Sequence, residues 1–292
     1  MPRNLRRILI ALSLLFVCAC HKQSAQPPPE KPHLLPALTV PDAMMMFYGN
    51  FDAGAQSSTA VMPGRNNKNT SSPASYQAIA HAFFHAETGE AGTQKLVVVT
   101  YAVPKKGGFG CHACAPTIGM AVFTNDGMKW AIEASNKAVT ESGGWGEPPT
   151  DIQLVEIGHN HHGVQIKDVG GGQGETTAAL QILVPWNGTV NAALKRIVAD
   201  NDAGMCGPDS LPCYSNERTL AFVSSANSDY YGVELKLTGT DLPDSSGGPI
   251  TAARAVSGVE ILKFENGVYV QVSREGDLTT VDQAVADQEG LK

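Results

Sequence analysis

Two short turns constrain this chain more than anything else in its sequence. Asn266-Gly267 separates two alternating runs, 261–265 and 268–272, and Asp126-Gly127 separates 120–124 from 128–133. Asn-Gly and Asp-Gly tolerate the positive φ angles of a tight hairpin loop, and an apolar side chain at every second position is the period of a half-buried strand. A third hairpin is expected from 152–157 and 163–167, around Gly158-His159-Asn160-His161-His162. Runs at 95–101, 176–184, 219–223 and 231–237 add further strands. Residues 75–87 are alanine-rich but lead through Gly89 and Gly92 into a clear strand, so a long hairpin is expected there. Residues 191–198 suit a short helix and a strand equally. The expected fold class is all-β: a single antiparallel, hairpin-rich domain, either a sandwich or a propeller-like meander.

The first twenty residues carry a different signal. Arg3, Arg6 and Arg7 precede an apolar run, 8–17, which ends at Cys18-Ala19-Cys20. A basic start, a short apolar core and a small residue before the break are the parts of a secretory signal, and the run is too short to span a bilayer. The ending Val17-Cys18-Ala19-Cys20 resembles the lipobox of bacterial lipoproteins. That resemblance covers only the signal. It implies cleavage after Ala19, then lipidation of Cys20 with diacylglycerol and usually an N-acyl chain such as palmitate. Several acyl chains together give durable anchoring. The resemblance therefore implies a membrane partner and a place in the bacterial cell envelope. Lipoproteins with no Asp after the acylated Cys tend to be sorted to the outer membrane of a Gram-negative host, and His21 occupies that position.

Residues 1–19 read as the signal peptide and 20–73 as lipid anchor and spacer, rich in proline and serine. Proline fixes φ and removes a donor, so the stretch around Pro27-Pro28-Pro29 is expected to be semi-extended. Residues 74–274 form the all-β extracytoplasmic domain, long enough for a sizeable core. Residues 275–292 form a polar, acidic tail. Without the signal, 18 Lys and Arg face 28 Asp and Glu, a net charge of −10. Nucleic acid and electrostatic docking on anionic lipid both require clustered positive charge, so both are excluded as partners.

Four cysteines remain, as the local pairs Cys111/Cys114 and Cys206/Cys213. In an oxidising compartment such pairs read first as disulfides; local pairing is the default, and crossed pairing stays open. Cys111-His112-Ala113-Cys114 also has the spacing of a thiol-disulfide redox site, but it runs into the Asp-Gly hairpin with no room for the helix that would lower a thiol pKa. A haem signature is absent, because Ala115 follows Cys114. His159 and His161 stand two apart, where strand geometry gives them one side and His162 the other. With Cys111 and Cys114 they would make an N₂S₂ set for zinc or copper. His81 and His85, four apart, would also share a face.

Trp145 is displayed on a loop, Gly143-Gly144-Trp145-Gly146-Glu147, whereas Trp130 has core register; Trp186, Tyr230 and Tyr231 are further candidates for stacking on a glycan. Asp200-Asn201-Asp202-Ala203-Gly204, with Asp209 beyond, lacks the ligand set of an EF-hand. Gly170-Gly171-Gly172-Gln173-Gly174 lacks the Lys of a P-loop, and no nucleophile elbow is present. The leading expectation is therefore a lipid-anchored, non-catalytic binding or envelope-interaction module, using the Trp145 loop and the 158–163 turn. Its partner would be an envelope protein or a glycan. Transition-metal binding is the second expectation and thiol redox chemistry at Cys111/Cys114 the third. Cys20→Ser is expected to abolish palmitate labelling and to release the chain from the membrane fraction; label retained on that variant would overturn the acyl anchor.

Overall fold

The computed structural model describes residues 36–64, 75–89, 93–106, 114–207, 210–224, 228–243 and 250–278. Thr39 opens the one helix among them, α1 (Val40–Tyr48): its hydroxyl oxygen accepts from the Asp42 N–H at 3.3 Å and donates to the Asp42 carboxylate at 2.6 Å. Pro41 fits the first turn, where no N–H is needed. Gly49 closes the helix at φ +80°, its N–H donating to Met45 O.

Thirteen strands follow among the described residues. A five-stranded sheet runs β1 (Ser58–Pro63), β2 (Ser75–Thr88), β3 (Gln94–Pro104), β4 (Thr117–Asn125), β5 (Trp130–Glu141). An eight-stranded sheet runs β6 (Asp151–Gly158), β7 (His161–Gly172), β8 (Glu175–Trp186), β9 (Thr189–Asn201), β10 (Ser215–Val223), β11 (Gly232–Asp241), β12 (Arg254–Glu265), β13 (Val268–Gly276). Strand order follows chain order in both sheets and every pairing is antiparallel. The fold is all-β, and the larger sheet curls into a half-barrel. Residues 75–87 fall in one long strand, β2, and residues 191–198 lie in β9.

Lys95-Leu-Val-Val-Val-Thr-Tyr101 reads as an unbroken apolar run because β3 is covered on both faces. Leu96, Val98 and Ala102 pack with Ala43, Met44, Phe47 and Tyr48 of α1. Val97 and Val99, joined by Ile118, Met120 and Val122 of β4, pack on Val164, Ile166, Leu183 and Val190 of the second sheet. Tyr48 reaches through its layer to Thr100, the two hydroxyls lying 2.7 Å apart, and burial raises the phenol to about 12. β5 is tied to the second sheet by polar contacts, Asn136 Nδ2 to Val190 O and Thr140 Oγ1 to Gln181 Oε1.

The curl of the half-barrel encloses a third core of Leu180, Ile182, Leu194, Val233, Leu235, Leu262 and Phe264. An ion pair crosses it. Arg196 of β9 grips Glu260 of β12 through Nη2–Oε1 at 2.9 Å and Nε–Oε2 at 3.3 Å, although two strands separate them in the sheet. Glu260 is 3% exposed.

Two boundaries move. α1 and β1 lie inside the stretch 20–73 read as spacer, so the folded part begins near Pro36. α1 is short, and it carries apolar residues on its exposed side too (Met45 and Met46), so no helical stripe stands out. At the other end β13 runs to Gly276, Asp277 pairs with Arg254 at 2.6 Å, and Leu278 packs with Leu237 and Val256; the tail read as 275–292 is therefore folded up to 278. The signal, Cys20 and the rest of the tail lie outside the described residues.

Glu260→Ala should cost about 3–5 kcal/mol, because it leaves the Arg196 charge inside without its partner. Arg196→Met with Glu260→Leu should come close to wild type. Urea unfolding of the three proteins checks this, and a fully tolerated Glu260→Ala would show that the pair does not brace the curl.

Candidate functional site

Because both sheets are meanders, their connections alternate between two ends. The β2–β3, β4–β5, β6–β7, β8–β9 and β12–β13 turns gather at one end of the seam, where a cleft opens. One wall comes from the first sheet: Thr88 at the end of β2, Lys95 and Val97 of β3, Val122 of β4, Glu133 and Ala134 of β5. The other comes from Ile157, Asn160, His161 and His162 at the β6–β7 turn, Pro185 to Gly188 at the β8–β9 turn, and Tyr230. The hollow is about 130 Å³. Past Thr88, Lys95, Asn160 and His162 it widens into an open groove of about 410 Å³ that reaches Gly89, Thr93 and Glu156.

The second wall owes its shape to one close approach. Gly158 bridges to Tyr230, His159 N–H donates to Asp229 O at 3.0 Å, and Tyr231 N–H donates to Ile157 O at 2.8 Å. A Cβ on Gly158 would stand 2.2 Å from Asp229 O, so only glycine lets this segment lie along the edge of β6. Tyr230 is thereby laid flat on His161, ring centroids 4.3 Å apart and nearly parallel. Its other face stacks on Phe264 at 4.2 Å, and Trp186 meets both rings edge-on. His161 is thus the outermost ring of a stack rooted in the half-barrel core.

One cation, Lys95, faces the carboxylates of Glu133 and Glu156 in the cleft and Asp229 beside His161. Lys95 Nζ lies 2.8 Å from Glu133 Oε2. Glu156 accepts from the Tyr231 hydroxyl at 2.8 Å. Burial pushes the His161 imidazole below its usual value; Lys95 and His162 act in the same direction, Asp229 and Glu133 against it. A neutral imidazole offers one donor and one acceptor nitrogen. Thr88 Oγ1 stands 3.2 Å from Nδ1 and 3.4 Å from Nε2 of His162.

The expected metal ligands are not brought together. His159 belongs to the two-residue turn rather than to a strand, so it is exposed and does not share a side with His161, which is committed to the Tyr230 stack. Cys114 is disulfide-bonded and precedes β4 at the opposite end of that strand. Nine residues of β4, at about 3.3 Å each, put it roughly 30 Å from the cleft end. Cys111 lies outside the described residues. Among the described residues no three His, Cys, Asp or Glu are placed to hold a metal ion. His81 and His85 fall on opposite faces: a bulge between Ala82 and Phe84 shifts the register, pairing His81 with Tyr101 and His85 with Val98.

Trp145 also lies at the far end. It is 59% exposed and holds φ +57° on a turn closed by Gly144 and Glu147, with Gly146 N–H on Cys114 O and Gly143 N–H on the Asp168 carboxylate. Trp130 packs beside α1 and donates to Pro36 O. Cys206 and Cys213 form a disulfide, Cα atoms 4.9 Å apart, and Asp202 caps the loop by accepting from Tyr214 N–H at 2.8 Å. Asp200 is raised by burial and by Glu175; Asp209 lies outside the described residues. Gly170 to Gly172 end β7 and Gln173-Gly174 makes the turn to β8.

Lys95, Glu133 and Thr88 were not singled out from the sequence. They are ordinary strand residues there, and no motif links positions so far apart. Compared with protein-family models, curated proteins and solved structures, the chain matches none of them.

The depressed pKa of His161 gives a pH test. Its neutral form is the one the fold favours, so its stabilising share is present above pH 6.5 and lost as pH falls through the folded value. Titration of the His161 ring protons by NMR should give a value below 6.5. His161→Phe, which keeps the stack and cannot ionise, should remove that part of the acid destabilisation. A His161 value at or above that of a free imidazole would contradict its burial.

Proposed function

We propose that this protein is a lipid-anchored, extracytoplasmic, non-catalytic binding module of a bacterial cell envelope, and that it holds its ligand in the cleft at the turn end of the sheet seam. The observation that carries the reading is the convergence of Lys95, Glu133, Asn160, His161 and Thr88 on one hollow with an aromatic wall. A concave site with apolar sides and a few converging polar groups is the usual form of a small-molecule pocket. Here the polar groups come from several separate strands and turns, while the aromatic rings are locked in place by their mutual stacking.

The anchor follows from the N-terminal signal and from Val17-Cys18-Ala19-Cys20. Pro36 is bonded to Trp130, and Ala37 and Leu38 line a hollow beside Thr88, Gly89 and Lys95. The tether therefore joins the body next to the cleft. The fifteen residues between Cys20 and Pro36 can reach at most about 55 Å, which keeps Pro36, beside the cleft, within that distance of the bilayer.

The test is a thermal-shift screen of a small-metabolite library against the full chain in detergent. Thr88→Trp fills the rim of the hollow and should abolish the shifts of true ligands while leaving the unliganded melting temperature nearly unchanged. Trp145→Ala, at the far end, should leave them intact. Shifts that survive Thr88→Trp and vanish in Trp145→Ala would move the site to the other end; a screen with no shift at all would remove the reading.

A further inference from the structure

We infer that the cleft takes a neutral, polyhydroxylated ligand, a saccharide, with one ring in the hollow between Lys95–Glu133 and the His161–Trp186 wall and a second ring in the groove beyond Thr88. This rests on the reading of the cleft as the binding site, and it adds the chemical class.

Charge comes first. Lys95 and Glu133 neutralise each other at 2.8 Å. A charged ligand would have to compete with that pair, and an anion would also face the Glu156 carboxylate in the groove. Polyanions meet the further obstacle of a body whose mature charge is −10. An uncharged ligand leaves the Lys95–Glu133 pair intact, and the excess of carboxylate turns anions away.

The donor and acceptor pattern narrows the class. Lys95 only donates and Glu133 only accepts; the Asn160 amide, the Thr88 hydroxyl and the His161 imidazole each do both. A site of this kind has partners of both senses around its rim. Sugar hydroxyls also donate and accept, so each can meet a donor and an acceptor here. A hydrocarbon would leave these groups dehydrated without partners, which is costly.

Shape agrees. His161 and Trp186 line the hollow, and the apolar C–H face of a pyranose packs on flat rings. His161 is held rigid by Tyr230 and Phe264 behind it, so little conformational freedom is lost on binding. The hollow of about 130 Å³ and the adjoining groove of about 410 Å³ share Thr88, Lys95, Asn160 and His162, which allows a chain of two rings to run from one into the other.

The experiment titrates the full chain, in an amine-oxide detergent with no sugar head group, with glucose, galactose, mannose and N-acetylglucosamine and with maltose, cellobiose and chitobiose. Tryptophan fluorescence and calorimetry read the binding. At least one neutral sugar should bind, its disaccharide more tightly, and Glu133→Gln and Lys95→Met should each weaken it about 10- to 100-fold, as expected for hydrogen bonds to charged groups. Thr88→Trp should abolish it and Trp145→Ala should leave it unchanged. Choline, glutamate and sulfate are the charged controls, and glycine betaine is the zwitterionic one. Binding of one of these that Thr88→Trp abolishes, with no sugar bound, would overturn the saccharide and keep the cleft as the site. Sugar binding that ignores Thr88→Trp and is lost in Trp145→Ala would overturn the cleft as well. No response to any probe would overturn the inference outright.

Discussion

The seam between the two sheets is the contact on which everything else rests. Val97, Val99, Ile118, Met120 and Val122 meet Val164, Ile166, Leu183 and Val190, all nearly excluded from water. Each such side chain contributes about 1.5–3 kcal/mol relative to being left exposed. The seam also makes β3 a strand with two buried faces, and that in turn gives α1 a surface to cover. The cleft forms where this apolar contact stops. Val97, Val122 and Ala134 line it, and the residues that lie further towards the turns are Lys95 and Glu133. Twisted sheets that pack face to face diverge at their corners. At this corner the chain supplies polar side chains in place of further aliphatic ones.

The half-barrel gives the cleft its rigid wall. The Arg196–Glu260 pair joins strands that are not neighbours in the sheet, and the Trp186, Tyr230, Phe264 and Tyr269 rings fill the end of the curl nearest the turns. His161 rests on that filling rather than on its own hairpin. The two ends of the molecule consequently differ in kind. The turn end carries the ionisable and aromatic groups of the cleft, and Pro36 lies against Trp130 beside it. The far end carries the Cys206–Cys213 loop, Cys114 and the Trp145 turn.

Much of the fold was legible because hairpins are local. Asn266-Gly267 does form a tight turn with both φ angles positive, and the β4–β5 and β6–β7 hairpins are where the turn residues place them. The site was less legible. The 158–163 turn, Trp186 and Tyr230 are candidates in the sequence on separate grounds, and the fold brings residues of all three to one cleft. His159 and His161 were paired by strand periodicity, which fails in a two-residue turn; His81 and His85 were paired by the same rule, which fails across a bulge. The bulge has no sequence mark, since it depends on how β2 follows β3.

Local chemistry alone determined that the chain is a series of antiparallel strands joined by tight turns, and that Cys206 and Cys213 close a short loop. Those are properties of neighbouring residues, and turn φ angles and side-chain alternation encode them directly. Only the tertiary structure decided that β6 to β9 would pack on the first sheet while the rest curled away. It also decided that Tyr230 would lie on His161, and that Lys95 and Glu133 would meet across the intervening β4. Those contacts join residues far apart in the chain, and they depend on sheet twist and curl, which no short stretch of sequence specifies.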